Sequence, residues 1–221
     1  MVISPSRTHP KETVQVLLKS AIRCFAKKGF DGTSIREIAA QAGKPISLIG
    51  YHFGDKEGLY LKCFQYFFEI FPQTPLDPIH TDMVSIHENP HLAAQALRAV
   101  VRAVVQDLFA DDGDPLKEDF IGLFMQEMRS PRPSLHALYA NRISERVRVA
   151  KGCIASLQPH LPDTEVSFIG QGIFGQCLIQ RLASGMNALI WQPLPSSETP
   201  NVLADRIVDF ALKGLGYQDG G

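Results

Sequence analysis

Residues 33–53 read Thr-Ser-Ile-Arg-Glu-Ile-Ala-Ala-Gln-Ala-Gly-Lys-Pro-Ile-Ser-Leu-Ile-Gly-Tyr-His-Phe, and they decide the fold of the first part of the chain. Four apolar residues recur there at the spacing of one helix face: Ile35, Ile38, Ala39 and Ala42. Ser34 and Glu37 are spaced as a capping box, and Gly43 stands where a turn often needs positive φ. Pro45 suits the first turn of a following helix. The pattern therefore predicts two short helices joined by a glycine turn.

The flanking sequence favours a DNA-reading helix-turn-helix, although a plain helical hairpin shows the same central pattern. An earlier apolar stripe at helical spacing consists of Val14, Leu17, Leu18, Ala21, Ile22 and Phe25. That stripe stops at a basic last turn, Lys27-Lys28, which is followed by Gly29. Asp55 can cap a fourth helix that starts near Lys56. Three short helices around one core, followed by a longer helix, predict a compact DNA-binding head.

These residues resemble the tetracycline-repressor (TetR) family of transcriptional regulators, and the resemblance is dense over residues 13–62. It is carried by two runs, Ala21-x-x-x-Phe25-Ala26-x-x-Gly29-Phe30-x-x-Thr33-Ser34-Ile35-Arg36-Glu37-Ile38-Ala39-x-x-Ala42-Gly43 and Tyr51-His52-Phe53-Gly54-x-Lys56-Glu57-x-Leu59. A later segment resembles a CecR-like subgroup: Phe124-x-Gln126-Glu127-Met128-x-x-Pro131-x-Pro133-Ser134-Leu135. The resemblance implies a regulator that binds operator DNA as a homodimer, not an enzyme, and it implies no cofactor.

The composition is that of an ordinary globular protein, with 221 residues, 45% hydrophobic and 20% charged. No apolar run reaches membrane-spanning length, and residues 1–10 lack an apolar signal core, so we expect a cytoplasmic protein. The four cysteines show no C-x-x-C spacing: Cys24, Cys63, Cys153 and Cys177. We expect buried free thiols rather than disulfides or a redox site.

The net charge of −1 hides an asymmetry between the two parts of the chain. Residues 1–62 carry ten Lys or Arg and five Asp or Glu, a net charge of +5, and the remainder carries −6. A basic head on an acidic body is expected when only the head approaches phosphate. Chance surface composition also produces a difference of this size.

Helical patterns cover most of the chain, and the predicted fold class is all-α. The predicted helices lie near residues 10–28, 34–42, 45–52, 55–71, 89–110, 115–129, 134–157, 164–191 and 200–214. Prolines interrupt the periodicity at 72–88, which predicts an irregular loop. We expect a helix-turn-helix DNA-binding domain at residues 10–55 and a helical ligand-binding and dimerisation domain at residues 56–215, joined by helix 55–71.

The resemblance implies two sets of DNA contacts. The groove-facing set is Lys44, Pro45, Ile46, Ser47, Leu48 and Gly50. The phosphate-binding set is Thr33, Arg36, Tyr51, His52 and Lys56. Lys44 replaces the apolar residue common in the family, and Gly50 replaces a larger side chain. Ile46 and Leu48 suit thymine methyl groups, or one of them packs inward.

The resemblance also implies that the body holds an effector pocket. Aromatic, Met and other apolar residues are candidates for its lining: Phe120, Phe124, Met125, Met128, Leu138, Phe174 and Trp191. The candidate polar anchors are Asn141, Arg142, Gln176, Arg181 and Asn187. An aromatic and Met stripe of this kind is also typical of plain core.

Two body helices are candidates for a homodimer interface of the four-helix-bundle type. Close helix packing explains the many glycines among the apolar residues of helix 164–191. The candidate interface residues are Phe168, Gly172, Gly175, Ile179, Leu203, Ile207 and Phe210. The alternative is that they belong to the core of one chain.

The predicted function is a repressor that binds a pseudo-palindromic operator as a homodimer and is released by a small, mainly apolar effector. A DNA-bound scaffold without an effector and an activator are alternatives with the same fold. A more remote alternative is a helical metal-dependent enzyme that uses His80, His87 and His91. Their spacing matches no H-E-x-x-H or related metal motif, so solvated loop histidines are expected.

Overall fold

The computed structural model describes residues 10–109, 113–128, 130–183, 189–190 and 199–217, which contain helices and turns but no strand. The all-α prediction is confirmed. The helices discussed below are α1 (Pro10–Gly32), α2 (Ile35–Ala42), α3 (Ser47–Phe53), α4 (Lys56–Ile70), α5 (Met83–Glu88), α6 (Pro90–Phe109), α7 (Pro115–Met128), α8 (His136–Leu157), α9 (Asp163–Leu182) and α10 (Pro200–Gly214). Short 3₁₀ turns form at Pro78–His80 and Pro133–Leu135. No described helix combines the length and the apolar character that crossing a membrane requires.

Several helix boundaries differ from the prediction. Helix α1 extends to Gly32 across a kink at Gly29, where φ is 72°. The predicted loop at 72–88 contains α5, which Asp82 caps by accepting a hydrogen bond from the Val84 N–H at 3.1 Å. Helix α3 starts at Ser47, because Pro45 and Ile46 belong to the turn before it. Helix α9 ends at Leu182, and the predicted continuation at 184–188 and 191 lies outside the described residues.

The chain forms two compact units, and the first contains more than the predicted head. It comprises the residues up to 72 and residues 112–139, whereas the second comprises 73–111 and 140–221. The predicted division near residue 55 assumed that each domain is one continuous stretch of the chain. The first unit is not continuous, because α7 packs along α1 and buries Leu116, Phe120 and Leu123 in the same core.

Aromatic side chains dominate the core of the first unit. The rings of Phe67 and Phe120 stack with centroids 3.6 Å apart, and Tyr60 meets Phe25 edge-on at 4.8 Å. The predicted α1 stripe supplies much of the remaining core, with buried Leu17, Leu18, Ala21, Ile22 and Phe25. Aromatic pairs in these geometries contribute about 0.5–1.5 kcal/mol each beyond the burial of their area. This core holds the helices that carry the candidate DNA-binding face.

The second unit is built around α6, which packs against α9 and α10. Arg102 forms a bidentate pair with Asp205 at 2.8 and 3.0 Å, and Arg98 Nη1 lies 2.6 Å from Asp209 Oδ1. All four cysteines of the chain are free and buried, as predicted. Burial raises the pKa of Cys153 and of Cys177 to about 12, so these thiols stay protonated at neutral pH.

Gly58 is the glycine whose replacement should disturb the head most. An added Cβ would lie 2.1 Å from the Phe53 carbonyl oxygen, where α3 meets α4. We expect Gly58→Ala to lower the free energy of unfolding by about 1–3 kcal/mol, because α3 must move away from α4. Gly122→Ala is the matched control, since an added Cβ there meets nothing within 4 Å. Urea unfolding of both variants checks the prediction, and equal midpoints would contradict it.

Candidate nucleic-acid interface

Helix α2 is stabilised by an N-terminal cap, an ion pair and a buried apolar face. Ser34 Oγ accepts a hydrogen bond from the Glu37 N–H at 3.1 Å, as a capping residue should. The Glu37 carboxylate lies 2.6 Å from Lys28 Nζ and, by hydrogen bonding, raises the pKa of that lysine. Ile38 and Ala39 are buried on the inner face. The predicted amphipathic helix therefore forms as expected.

The turn after α2 uses the left-handed conformation that glycine favours. Gly43 has φ 61° and ψ 34°, and its N–H donates to the Ala40 carbonyl oxygen at 3.1 Å. The Lys44 N–H donates to the Ala39 carbonyl oxygen at 3.0 Å. Ile49 of α3 is fully buried and fixes this helix against the core. These contacts set which side of α3 faces outward.

The outward side of α3 and of the turn before it is a continuous exposed surface. Pro45, Ser47 and Gly50 are exposed, Ile46 is 41% exposed, and Tyr51 is 81% exposed. An added Cβ at Gly50 meets nothing within 4 Å, so this surface is open there. Leu48 is half-buried and packs against the core of the unit. Of the two apolar groove candidates, Ile46 points outward and Leu48 packs inward.

Cationic and hydrogen-bonding groups surround this surface. Arg36 is exposed on α2, and Lys44 and His52 are half-buried. The His52 ring lies 4.8 Å from that of Tyr51. Lys56 opens α4, and Asp55 caps this helix by accepting from the Gly58 N–H at 2.8 Å. A helix N-terminus beside a lysine favours an anion such as phosphate.

The prediction that Thr33 contacts phosphate with its side chain is corrected by the structure. Its side chain is 2% exposed, and its hydroxyl lies 2.7 Å from the Gly29 carbonyl oxygen and 3.1 Å from that of Cys24. The Thr33 N–H donates to the Phe30 carbonyl oxygen at 3.3 Å. Thr33 therefore stabilises the turn between α1 and α2, and its side chain does not reach the surface.

Two family models match the chain. The model for bacterial regulatory proteins of the tetR family matches residues 17–63. The model for the C-terminal domain of the HTH-type transcriptional dual regulator CecR matches residues 93–215, which is more than half of the chain. The chain belongs to the TetR family of transcriptional regulators. It is a DNA-binding regulator with a CecR-type C-terminal domain, and the resemblance described from the sequence is confirmed.

Individual relatives of this TetR-family regulator agree with the assignment. The chain is 29% identical over 214 residues to the dual regulator CecR of Shigella flexneri, covering 90% of this chain and 91% of that protein. It is 42% identical over 52 residues to the repressor AcnR of Corynebacterium glutamicum, covering 24% of this chain and 28% of that protein. These relatives are regulators, which confirms the prediction that the chain is not an enzyme.

Solved structures show the same fold. A TetR-like transcriptional regulator from Rhodococcus sp. RHA1 matches with a TM-score of 0.60 at 19% identity, covering 96% of this chain and all of that chain. The hemolysin II transcriptional regulator HlyIIR matches with a TM-score of 0.58 at 18% identity, covering 90% of this chain and 97% of that chain. At such identities the likeness concerns the fold alone.

The predicted effector-pocket residues of this regulator are divided between its two units. Phe120, Phe124 and Leu138 pack in the aromatic core of the first unit, as the plain-core alternative predicts for that stripe. Met125 is half-buried and Met128 is 39% exposed on the same α7. The remaining described candidates belong to the second unit: Asn141, Arg142, Phe174, Gln176 and Arg181. Asn187 and Trp191 lie outside the described residues.

The predicted dimer residues of the second unit separate into exposed and buried groups. Phe168 is 72% exposed, Phe210 is 68% exposed, and Ile179 is 48% exposed. Gly172 and Gly175 are exposed as well, and an added Cβ at either meets nothing within 4 Å. The prediction that Leu203 and Ile207 lie at the dimer interface is corrected, because both are buried in the core of the second unit. Their side chains face inward from α10, as the alternative of a core within one chain predicts.

The three histidines of the enzyme alternative do not come together as a metal site. His87 Nδ1 lies 2.7 Å from the Met83 carbonyl oxygen, whereas His91 lies within hydrogen-bonding distance of Tyr217 and Gln95. Over the part of the chain that the structure describes, no group of three His, Cys, Asp or Glu side chains is arranged to hold a metal ion.

Two charged residues far along the chain, Glu127 and Arg132, pack against the head. The sequence-based prediction did not assign them to it. Glu127, at the end of α7, accepts a hydrogen bond from the Tyr60 hydroxyl at 2.7 Å. The Arg132 guanidinium carbon lies 3.7 Å from the centroid of the Phe30 ring. The CecR-like segment was the available signal, since Gln126, Glu127 and Ser134 within it all contact α1 or α4.

Proposed function

We propose that this TetR-family regulator represses transcription by binding a pseudo-palindromic operator as a homodimer. The observation that carries the proposal is the exposed side of α3 and its preceding turn, with Arg36, Lys44 and Lys56 on α2, on that turn and at the start of α4. A short helix with an open face and cationic neighbours fits the major groove of B-DNA. An operator on the chromosome makes the cytoplasm the proposed place of action.

The proposed groove contacts are the exposed members of the predicted set together with the half-buried Lys44. They are Lys44, Pro45, Ile46, Ser47 and Gly50, without Leu48, whose side chain packs inward. Ile46 suits a thymine methyl group, and the Lys44 ammonium suits the O6 and N7 acceptors of guanine. Gly50 offers no side chain, and its open surface lets the DNA backbone or a base edge approach the helix closely.

The proposed phosphate contacts are Arg36, Tyr51, His52 and Lys56, without Thr33. Tyr51 and His52 supply hydrogen-bond donors at one end of α3, and Lys56 supplies charge at the start of α4. Contacts of this kind fix the register of a protein on the duplex but carry little sequence information. They also make binding depend on salt, because each neutralised phosphate releases counterions.

The proposed dimer interface is an exposed apolar stripe on α9 together with Phe210 of α10. The stripe follows the spacing of one helix face: Phe168, Gly172, Gly175, Ile179 and Leu182. Helices α9 and α10 contact each other, and an exposed apolar surface of this extent is typical of a protein–protein interface. Two heads related by two-fold symmetry read half-sites about 34–36 Å apart or a multiple of that distance.

We also propose that a small, mainly apolar effector binds the second unit and lowers the population of the DNA-binding state. The candidate residues in that unit are Asn141, Arg142, Phe174, Gln176 and Arg181. Burial, and the nearby cation of Arg146, lower the pKa of Arg142, as expected for a guanidinium held away from water. A screen of small apolar compounds for release of labelled operator DNA tests the effector separately from DNA binding.

Lys56→Ala tests the phosphate contacts. We expect about tenfold weaker binding to every DNA sequence, because one charge-assisted contact is lost. The slope of log affinity against log salt should fall by about one unit. Fluorescence anisotropy over a salt series measures both quantities.

Lys62→Ala is the matched control, since Lys62 is exposed farther along α4 and outside the proposed contact set. It should change the affinity by less than about twofold. Equal losses in the two variants, or an unchanged slope in Lys56→Ala, would remove Lys56 from the phosphate-binding set.

A further inference from the structure

A segment more than sixty residues beyond the helix-turn-helix contacts α1 and the start of α4, where the proposed phosphate contact Lys56 lies. Gln126 Nε2 donates to the Ala26 carbonyl oxygen of α1 at 3.0 Å. The Ser134 hydroxyl donates to the Glu57 carboxylate at the start of α4. Arg132 lies between these two contacts, and all of these residues belong to the first unit.

The Arg132 guanidinium meets three carboxylates and two aromatic rings, of which the Tyr60 ring is the more distant, with its centroid 5.7 Å from the guanidinium carbon. Its Nη2 lies 3.7 Å from Asp31 Oδ1, its Nη1 lies 3.9 Å from Glu57 Oε2, and its Nε lies 3.4 Å from Glu127 Oε1. Its central carbon lies 3.7 Å from the centroid of Phe30. A planar guanidinium suits this environment, because it stacks on an aromatic face and donates in several directions.

Lys56 shares the ring on which Arg132 stacks. The Lys56 Nζ lies 4.4 Å from the Phe30 centroid, and the next residue in the chain is Glu57. The Glu57 side chain is partly exposed, and the side chain of Asp31, which follows Phe30 in the chain, is largely exposed. Without a neutralising cation, they would attract the Lys56 ammonium and repel an approaching phosphate.

We propose that Arg132 is a positioning residue for DNA binding, which neutralises Glu57 and Asp31 and holds Phe30 so that Lys56 stays available to a phosphate. Arg132 acts through Lys56 and does not itself contact DNA. The inference rests on the proposed function, in which Lys56 binds a phosphate. It goes beyond that function because it assigns a role to a residue outside the helix-turn-helix.

A double-mutant cycle on operator affinity tests the inference, with a genomic fragment selected by the wild-type protein as the probe. We expect Arg132→Gln to weaken binding about tenfold in the wild-type background, as the loss of one phosphate contact does. In the Lys56→Ala background the same change should cost less than about twofold, because the contact that Arg132 supports is already absent. Equal losses in both backgrounds would overturn the inference while leaving the Lys56 contact intact.

Rescue by a second substitution distinguishes charge neutralisation from a merely structural role. Arg132→Gln combined with Glu57→Gln should recover affinity to within about twofold of the Glu57→Gln variant, because no carboxylate is left at position 57 to compete for Lys56. A structural role predicts no recovery, since Glu57→Gln alters a further contact with Ser134. Absence of recovery would therefore overturn the inference.

The affinities of Arg132→Lys and of Lys56→Ala alone test the neutralising role and the phosphate contact separately. Arg132→Lys retains the positive charge without the planar group, so it should lose less affinity than Arg132→Gln and should serve if the latter fails to fold. An affinity of Arg132→Lys equal to that of Arg132→Gln would contradict the neutralising role. If Lys56→Ala alone leaves the affinity and the salt slope unchanged, the proposed phosphate contact fails, and the inference fails with it.

Discussion

Phe210→Glu is expected to convert the proposed dimer into monomers and to weaken operator binding by about a hundredfold or more. Phe210 is 68% exposed on α10, a helix that packs against α9. In a two-fold interface the substitution places two carboxylates against an apolar surface, and each loses water without gaining a partner. A single head then binds one half-site without the gain in effective concentration that the second head supplies.

Sedimentation equilibrium and DNA binding to a two-half-site operator check this prediction together. Val84→Glu is the matched control, since Val84 is also an exposed apolar residue of the second unit but lies on α5. The control should remain dimeric and bind the operator as the wild type does. A Phe210→Glu variant that stays dimeric would place the interface on another surface.

Glu127→Ala is expected to destabilise the first unit by about 3–5 kcal/mol. Glu127 is 6% exposed, and its Oε1 accepts the Tyr60 hydroxyl at 2.7 Å while its Oε2 accepts the Arg132 N–H at 3.0 Å. Burial and the bond to Glu127 raise the pKa of Tyr60, so the hydroxyl remains a donor at neutral pH. The truncation leaves the buried Tyr60 hydroxyl and the Arg132 backbone N–H without their acceptor.

Chemical unfolding of Glu127→Ala, Tyr60→Phe and the double variant measures the contribution of the pair. Glu127→Gln is the conservative comparison, because its amide oxygen still accepts from Tyr60, and it should lose less stability than Glu127→Ala. Tyr60→Phe should lower the effect of Glu127→Ala by about 1–3 kcal/mol, since no orphaned hydroxyl then remains. A loss below about 1 kcal/mol for Glu127→Ala would contradict the assigned role of this network.

Features with a local cause were predictable from the sequence. The Ser34 cap, the positive φ of Gly43 and the Asp55 cap each depend on residues within a few positions, and all three form as predicted. The buried residues of α1 and α2 follow from helical spacing in the same way. The all-α class and the boundaries of most helices have the same origin.

Features that depend on which helix face turns inward were only partly predictable. Apolar residues cover more than half of α10, so periodicity alone could not tell that Leu203 and Ile207 face the core while Phe210 faces outward. For Thr33, a polar residue, the sequence likewise did not show whether the side chain faces the surface or the interior. A hydroxyl can bind a phosphate or close a turn, and the neighbouring carbonyl oxygens of Cys24 and Gly29 decide the outcome.

Features that depend on the path of the chain in space were not predictable. Glu127 lies 67 residues from Tyr60 along the chain, and no spacing rule joins them. The same applies to the division into units, in which residues 112–139 return to the first one. The need for glycine at position 58 comes from the nearby Phe53 carbonyl oxygen, and the position of that oxygen depends on how α3 and α4 meet.

Selection of bound fragments from genomic DNA by the purified protein, repeated at low and high salt, shows whether two copies of the α3 surface read an operator. Two copies of the exposed α3 surface should enrich an inverted repeat with half-site centres about 34–36 Å apart or a multiple of that distance, and the affinity should fall steeply as salt rises. Enrichment of no sequence, or of a site without two-fold symmetry, would contradict the claim, as would an affinity that does not respond to salt.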